Sequence, residues 1–225
     1  MKQSCDLKTC MFCRLCVPEW IPVINNHRKI MILKKGDLLF EEGEIMTGIY
    51  FVYNGVVKVH KKWGPKELII RFGRKGDIVG HRGLGNDIFY PVSATALEDS
   101  VACFIPLDIF MSSLKINYEF LYRLMLFFAE ELKLSEQKMR NLAHMTVRGR
   151  VAQALLSLKN KFGTKPDGHI DILLSRQDLA SYAGTTYETV FRVMADLTAQ
   201  NILKVKGKKI SILNETNLHL LTINE

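Results

Sequence analysis

At 225 residues the chain has room for one large domain or two small ones, and with 48% of its residues apolar it can bury a substantial core, which argues against a disordered chain. The formal charge of +8 favours a polyanionic partner, yet from Met145 onward 11 Lys and Arg stand against 7 Asp and Glu, so charge supports nucleic-acid binding without deciding it. No apolar run approaches the ~20 residues of a membrane span and the polar N-terminus has no signal-peptide core. A cytoplasmic protein without a membrane partner is therefore expected, its five cysteines serving as thiols or metal ligands rather than disulfides.

The first segment, 1–18, places Cys5, Cys10, Cys13 and Cys16 before Val17-Pro18. Three thiolates in C-x2-C-x2-C spacing can cradle an iron–sulfur cluster with a fourth ligand from elsewhere; zinc, or thiols without metal, are the alternatives. From 19 to 116 the stretches KKGDLLFEEGE, GIYFVYNGVVKVHKK, KELIIRFGRKGDIVG and VSATALEDSVACFIP are short, β-rich and separated by turn glycines, the pattern of a compact all-β barrel. Gly36, Gly43, Gly48, Gly55, Gly76 and Gly80 are read as turn positions with positive φ.

Residues 117–144 contain no Gly or Pro and read as one long helix. Leu121, Phe128, Ser135 and Leu142 recur every seven residues, with Met125, Leu132 and Met139 between them, which predicts a parallel pairing with a second copy of the chain. Phe120, Leu124 and Phe127 form a second stripe for the barrel; burial of both stripes within a monomer is the competing reading.

The last segment, 145–225, holds the spacing of a helix-turn-helix. Ser175 can cap a first helix with Asp178 completing a capping box, Ala180 allows close helix approach, Gly184 supplies the turn, and Thr186 can cap a second helix to about Leu197. Val190, Val193, Met194 and Leu197 are its inner stripe. Glu188 and Arg192, one turn apart, suit a G·C pair, because Arg donates twice to guanine and Glu accepts from cytosine N4. The plainer alternative makes Glu188 the partner of Thr185 in a capping box and Arg192 a solvated charge. Downstream, alternating residues on either side of Gly207-Lys208-Lys209 predict a hairpin wing, whose Lys204, Lys206, Lys208 and Lys209 can meet phosphates or remain solvated.

In this order KKGDLLFEEGE, YNGVVKV, GDIVG, the long helix and SRQDLA…GTTYETVFR resemble the CRP/FNR family of bacterial transcription regulators from about Cys10 onward. The resemblance implies an α+β architecture: a cyclic-nucleotide-binding-like β-barrel of jelly-roll type, a dimerisation helix and a C-terminal winged helix-turn-helix. It implies a homodimer on near-palindromic double-stranded DNA and, by family analogy, contact with RNA polymerase, for which the turn from Phe162 to Gly168 is a candidate. It places Glu188 and Arg192 on half-site-reading positions, Arg176 on a phosphate contact, and Tyr187 and Phe191 on positions that vary within the family.

The resemblance also frames the sensor. Where cAMP-binding members carry a Gly-Glu pair for the ribose and an Arg-Ser pair for the phosphate, this chain has Gly80-His81-Arg82 and Tyr90-Pro91-Val92-Ser93, so cAMP is not the expected effector. The surroundings of Cys16 and Cys103 resemble those of cluster ligands in the oxygen-responsive FNR branch, which makes Cys10, Cys13, Cys16 and Cys103 the candidate ligands, with Cys5 as an alternative. That branch spaces its second and third cysteines more widely than Cys13 and Cys16. Another small-molecule effector, or none, and a cyclic-nucleotide-binding module acting on partner proteins are the other readings. Catalysis is not expected, since the six histidines form no metal-binding motif and neither a GxSxG elbow nor a P-loop is present.

Overall fold

The computed structural model describes residues 10–223, which fall into two compact units divided between Glu131 and Leu132. In the first, α1 (Met11–Arg14) and α2 (Ile21–His27) precede eight strands: β1 (Lys29–Leu33), β2 (Leu38–Phe40), β3 (Gly48–Asn54), β4 (Val57–Trp63), β5 (Lys66–Gly73), β6 (Ile78–Val79), β7 (Ser93–Ala96) and β8 (Ser100–Pro106). They pair antiparallel in two four-stranded sheets, ordered β1-β8-β3-β6 and β2-β7-β4-β5, which is the double-sheet arrangement of a jelly roll. Ile49, Phe51 and Ile105 of one sheet and Val57, Val59 and Ala94 of the other share the buried core. Gly48 departs from the expected positive φ: a Cβ there would lie 2.3 Å from the Ile105 carbonyl oxygen, so this glycine serves close strand packing rather than a turn.

Cys10, Phe12 and Cys13 belong to this core. Phe12 stacks on Phe51 at 5.2 Å and Phe110 at 5.8 Å and meets Phe120 edge-on at 5.1 Å, which fixes the four-residue α1 by packing where propensity alone would not. The barrel span also ends in a helix, α3 (Leu107–Ile116), with Asp108 in its first turn, Lys115 in its last, and Phe110 and Ser113 turned inward.

The long helix α4 runs over Tyr118–His144. Asn117, expected as its first residue, is instead its cap: the side-chain oxygen accepts from the Phe120 N–H at 3.0 Å, while the amide group donates to the Leu15 carbonyl. Phe120 and Leu124 are buried and Phe127 packs against the barrel core, as the second stripe requires. Leu121, Met125, Leu132 and Met139 are 43–60% exposed, so the two stripes are not both buried within one chain.

The second unit contains α5 (Val147–Phe162), α6 (Arg176–Ala183), α7 (Tyr187–Ala199), the hairpin β9 (Leu203–Lys206) and β10 (Lys209–Ile212), and α8 (Glu215–Ile223). Val151, Leu155, Leu179, Val190, Leu197 and Leu218 are wholly buried in it. No helix among the described residues is long and apolar enough to cross a membrane.

Candidate nucleic-acid interface

Local chemistry shapes the helix pair. Ser175 accepts from the Asp178 N–H at 3.0 Å and its hydroxyl also bonds the Asp178 carboxylate. Gly184 closes α6 at φ 67°, the left-handed conformation that glycine adopts without penalty. Thr186, rather than Thr185, caps α7 by accepting from the Thr189 N–H. Arg150 then brackets the turn: its guanidinium donates to the carbonyls of Ala183 (3.1 Å), Gly184 (3.3 Å) and Met145 (2.9 Å). Sequence reading missed this residue because the two carbonyls that place it at the turn, those of Ala183 and Gly184, lie more than thirty positions away.

On α7, Val190, Met194 and Leu197 are buried and Val193 half-buried, while Thr186, Tyr187, Glu188, Phe191 and Arg192 are exposed. The Glu188 carboxyl is held below the usual carboxylate range by its own backbone N–H, then by the Thr186 hydroxyl and the Arg192 charge, so it is an acceptor at neutral pH. Arg176 is half-buried and donates to the Gly207 carbonyl at 3.2 Å, tying α6 to the wing turn. The turn itself is Gly207-Lys208; Lys209 begins β10 and pairs with Asp167 at 3.1 Å. Lys204, Lys206 and Lys208 are exposed.

Residues 149–221 match the model of the Crp-like helix-turn-helix domain and residues 30–117 that of the cyclic nucleotide-binding domain. The cAMP-activated global transcriptional regulator CRP of Escherichia coli O157:H7 is 33% identical over 205 residues, covering 87% of this chain and 96% of that protein. The chain belongs to the CRP/FNR family. An anaerobic regulatory protein of Pasteurella multocida (strain Pm70) is 27% identical over 90% of this chain and 77% of that one. FixK2 from Bradyrhizobium japonicum superposes with a TM-score of 0.77 at 26% identity, over 86% of this chain and 96% of that structure. This CRP/FNR protein is thus a DNA-binding transcription regulator with a nucleotide-binding-type barrel and a C-terminal helix-turn-helix, and not an enzyme.

In the barrel of this CRP/FNR regulator the residues of the candidate effector pocket, Gly80, His81 and Arg82, lie together at one turn. Gly80, at φ 89°, opens a single 3-10 turn (His81–Gly83). His81 is 2% exposed and edge-on to Phe127 (4.9 Å) and Phe128 (5.5 Å), with its Nε2 3.8 Å from the Glu131 carboxylate; burial foremost lowers its pKa, against the pull of that carboxylate. Arg82 donates to Glu131 at 2.8 Å and Arg71 lies 3.2 Å from the other carboxylate oxygen. The two guanidinium groups thus share one carboxylate of the chain itself. Glu131 and Arg71 were not singled out from sequence, since nothing local marks a helix-surface Glu as the partner of a strand Arg sixty residues away. Phe128, expected in the dimer seam, is half-buried and turned partly to His81; Leu142 is half-buried.

The thiols are differently placed. Cys10 caps α1, Cys13 lies within it and Cys103 sits on β8 opposite Ile30 and Phe51; all three are buried in the core that contains Phe12, and Cys16 packs against it. Among the described residues no three His, Cys, Asp or Glu side chains are grouped for a single metal ion, the arrangement zinc requires. Cys5 lies outside the described residues.

Proposed function

We propose that the chain is a homodimeric, sequence-specific regulator in which α7 enters the major groove and reads one G·C position per half-site through Glu188 and Arg192. The observation that carries this is the division of α7 into a buried stripe and an exposed face bearing an ionised acceptor beside a guanidinium. Arg176 and Lys208 contribute phosphate contacts, and Lys209 stands beside them in its pair with Asp167. Selection of bound duplexes from a random library by the full-length protein tests the reading. A near-palindrome with a fixed G·C position, whose preference relaxes in Arg192→Ala at a cost of about 1–3 kcal/mol, is the expected result. A uniform loss on all sequences would make Arg192 a phosphate contact.

The proposal extends to the signal. Cys10, Cys13, Cys16 and Cys103, which lie in or against one buried core, would hold an iron–sulfur cluster, and an anaerobic regulatory protein is among the relatives of the chain. Such a cluster would supply one-electron redox chemistry and sensitivity to oxygen. What the chain itself provides is a route from the cysteine segment to α4, because Asn117 holds the Leu15 carbonyl with one end of its amide and caps α4 with the other. Oxygen is expected to weaken dimerisation or DNA binding through this segment. Iron and acid-labile sulfide, measured on protein purified without oxygen, should be stoichiometric in the parent and lost in Cys10→Ser and Cys103→Ser. Metal-free parent that still selects a palindrome would remove the cluster from the account and leave the DNA reading intact.

A further inference from the structure

The first turns of α7 carry two exposed rows, not one. Beside the Glu188–Arg192 row stands a row of two aromatic side chains, Tyr187 and Phe191, which are 44% and 58% exposed. Their rings stack, with centroids 6.4 Å apart and planes 20° from parallel, so the pair forms a single apolar ledge. The core of this unit takes Val190, Met194 and Leu197 from the row that adjoins the rings, and Glu188 and Arg192 lie on the face opposite it, so the aromatic pair stands at the edge between core and polar face and still keeps much of its surface exposed. Behind the ledge an apolar groove lined by Phe191, Ala195 and Val205 continues toward the wing strand β9. An aromatic pair left in water beside an acceptor and a guanidinium calls for an apolar partner that arrives together with polar ones.

The major groove offers such a combination. Among the four bases only thymine presents an apolar projection there, its C5 methyl group, while guanine and cytosine present the acceptors and donor that suit Arg192 and Glu188. Residues i and i+4 align along a helix and the adjoining row is turned by about 100°, so the two rows meet neighbouring base pairs of one groove. We propose that Tyr187 and Phe191 are specificity-determining residues that read thymine methyl groups next to the G·C position, with Phe191 the principal contact. This rests on the reading of α7 as the recognition helix. The recognised feature is the methyl group itself, not the A·T pair, so 5-methylcytosine at the same position presents the same handle.

The test uses the duplex selected by the full-length protein, resynthesised with deoxyuridine in place of thymidine at each position flanking the G·C pair. Binding by fluorescence anisotropy should weaken about fourfold for each contacted methyl removed, the worth of one buried methylene-sized group. Phe191→Ala should bind the thymidine and deoxyuridine duplexes alike while keeping its G·C preference, and Phe191→Leu, which retains an apolar surface, should keep part of the difference. In the parent, a 5-methylcytosine duplex should bind more tightly than its cytosine counterpart. Equal binding of thymidine and deoxyuridine duplexes by the parent would overturn the proposal, as would an unchanged difference in Phe191→Ala. A library that yields no preferred duplex would instead overturn the recognition-helix reading on which it rests.

Discussion

Glu131 joins α4 to Arg71 and Arg82 of the barrel. Burial opposes its ionisation, but His81 and the charges of Arg71 and Arg82 outweigh that and hold its pKa at about 2, against an ordinary value of 4.5. A depressed folded-state pKa favours the ionised form, so this contribution to stability is present above about pH 4.5 and is lost as the pH falls toward 2. Glu131→Gln removes the charge and leaves Arg71, whose side chain is 12% exposed, with Asp77 at 3.5 Å as the neighbouring carboxylate. A loss of ~2 kcal/mol at pH 7 is expected, less than the ~3–5 of a fully buried pair because water reaches the group in part. Urea unfolding followed by the fluorescence of Trp20, whose indole donates to Ser113 at 2.7 Å, reports on this unit. Between about pH 5 and 3 the variant's stability should fall less steeply than the parent's; parallel curves would mean that the carboxylate titrates alike in folded and unfolded chains.

At the scale of elements, the turn between α6 and α7 is held from outside itself. Gly184 supplies the conformation, and Arg150 of α5 joins three carbonyls at the turn and at the start of its own helix. Arg150→Ala should destabilise the second unit by about 2 kcal/mol, the scale of hydrogen bonds from a charged donor. It should also speed amide exchange at Thr185, whose N–H bonds the Ala180 carbonyl at 3.0 Å. Arg150→Lys should rescue little, since a compact ammonium cannot span the fork; full rescue would mean that charge alone acts here. The same elements show what sequence can carry. The helix-turn-helix was legible because its caps, turn glycine and buried stripe are local chemistry repeated within two dozen residues. Strand stretches were legible by composition, but their order in two sheets depends on long-range pairing. Helix α1 was missed because the packing of Phe12, not periodicity, makes it, whereas α3 did carry a helical spacing, Leu107, Phe110, Met111 and Leu114, that was absorbed into the β-rich span. Asn117 did carry a signal, an Asn immediately before a helical run, and reads correctly once treated as a cap. Arg150, Arg71 and Glu131 had none, because their meaning lies in partners far along the chain.

At the scale of the whole molecule, the exposed seam of α4 carries the expectation of a dimer. Leu121, Met125, Leu132 and Met139 are exposed at heptad positions of α4, and residues of this kind at heptad spacing are stable when a second helix covers them. A fully buried leucine or methionine contributes about 1.5–3 kcal/mol relative to exposure. Replacing both Leu132 and Met139 by Glu should therefore weaken the dimer by at least about a hundredfold, roughly 3 kcal/mol, as read by sedimentation equilibrium. Helix content should be unchanged, because neither side chain contributes to the core of the single chain. A monomer can still place one α7 in one major groove, so the variant should keep the G·C preference within a half-site while losing the gain from joining two. Half-sites of a dimer lie about one helical turn apart, some 10 base pairs, so inserting five base pairs between them turns one half-site to the far face of the duplex. The parent on the lengthened site and the monomeric variant on the original site should then bind with similar, weakened affinity. If the insertion leaves parental binding untouched while the double variant still loses affinity, the seam acts on each chain's own fold and not by pairing two recognition helices on one duplex.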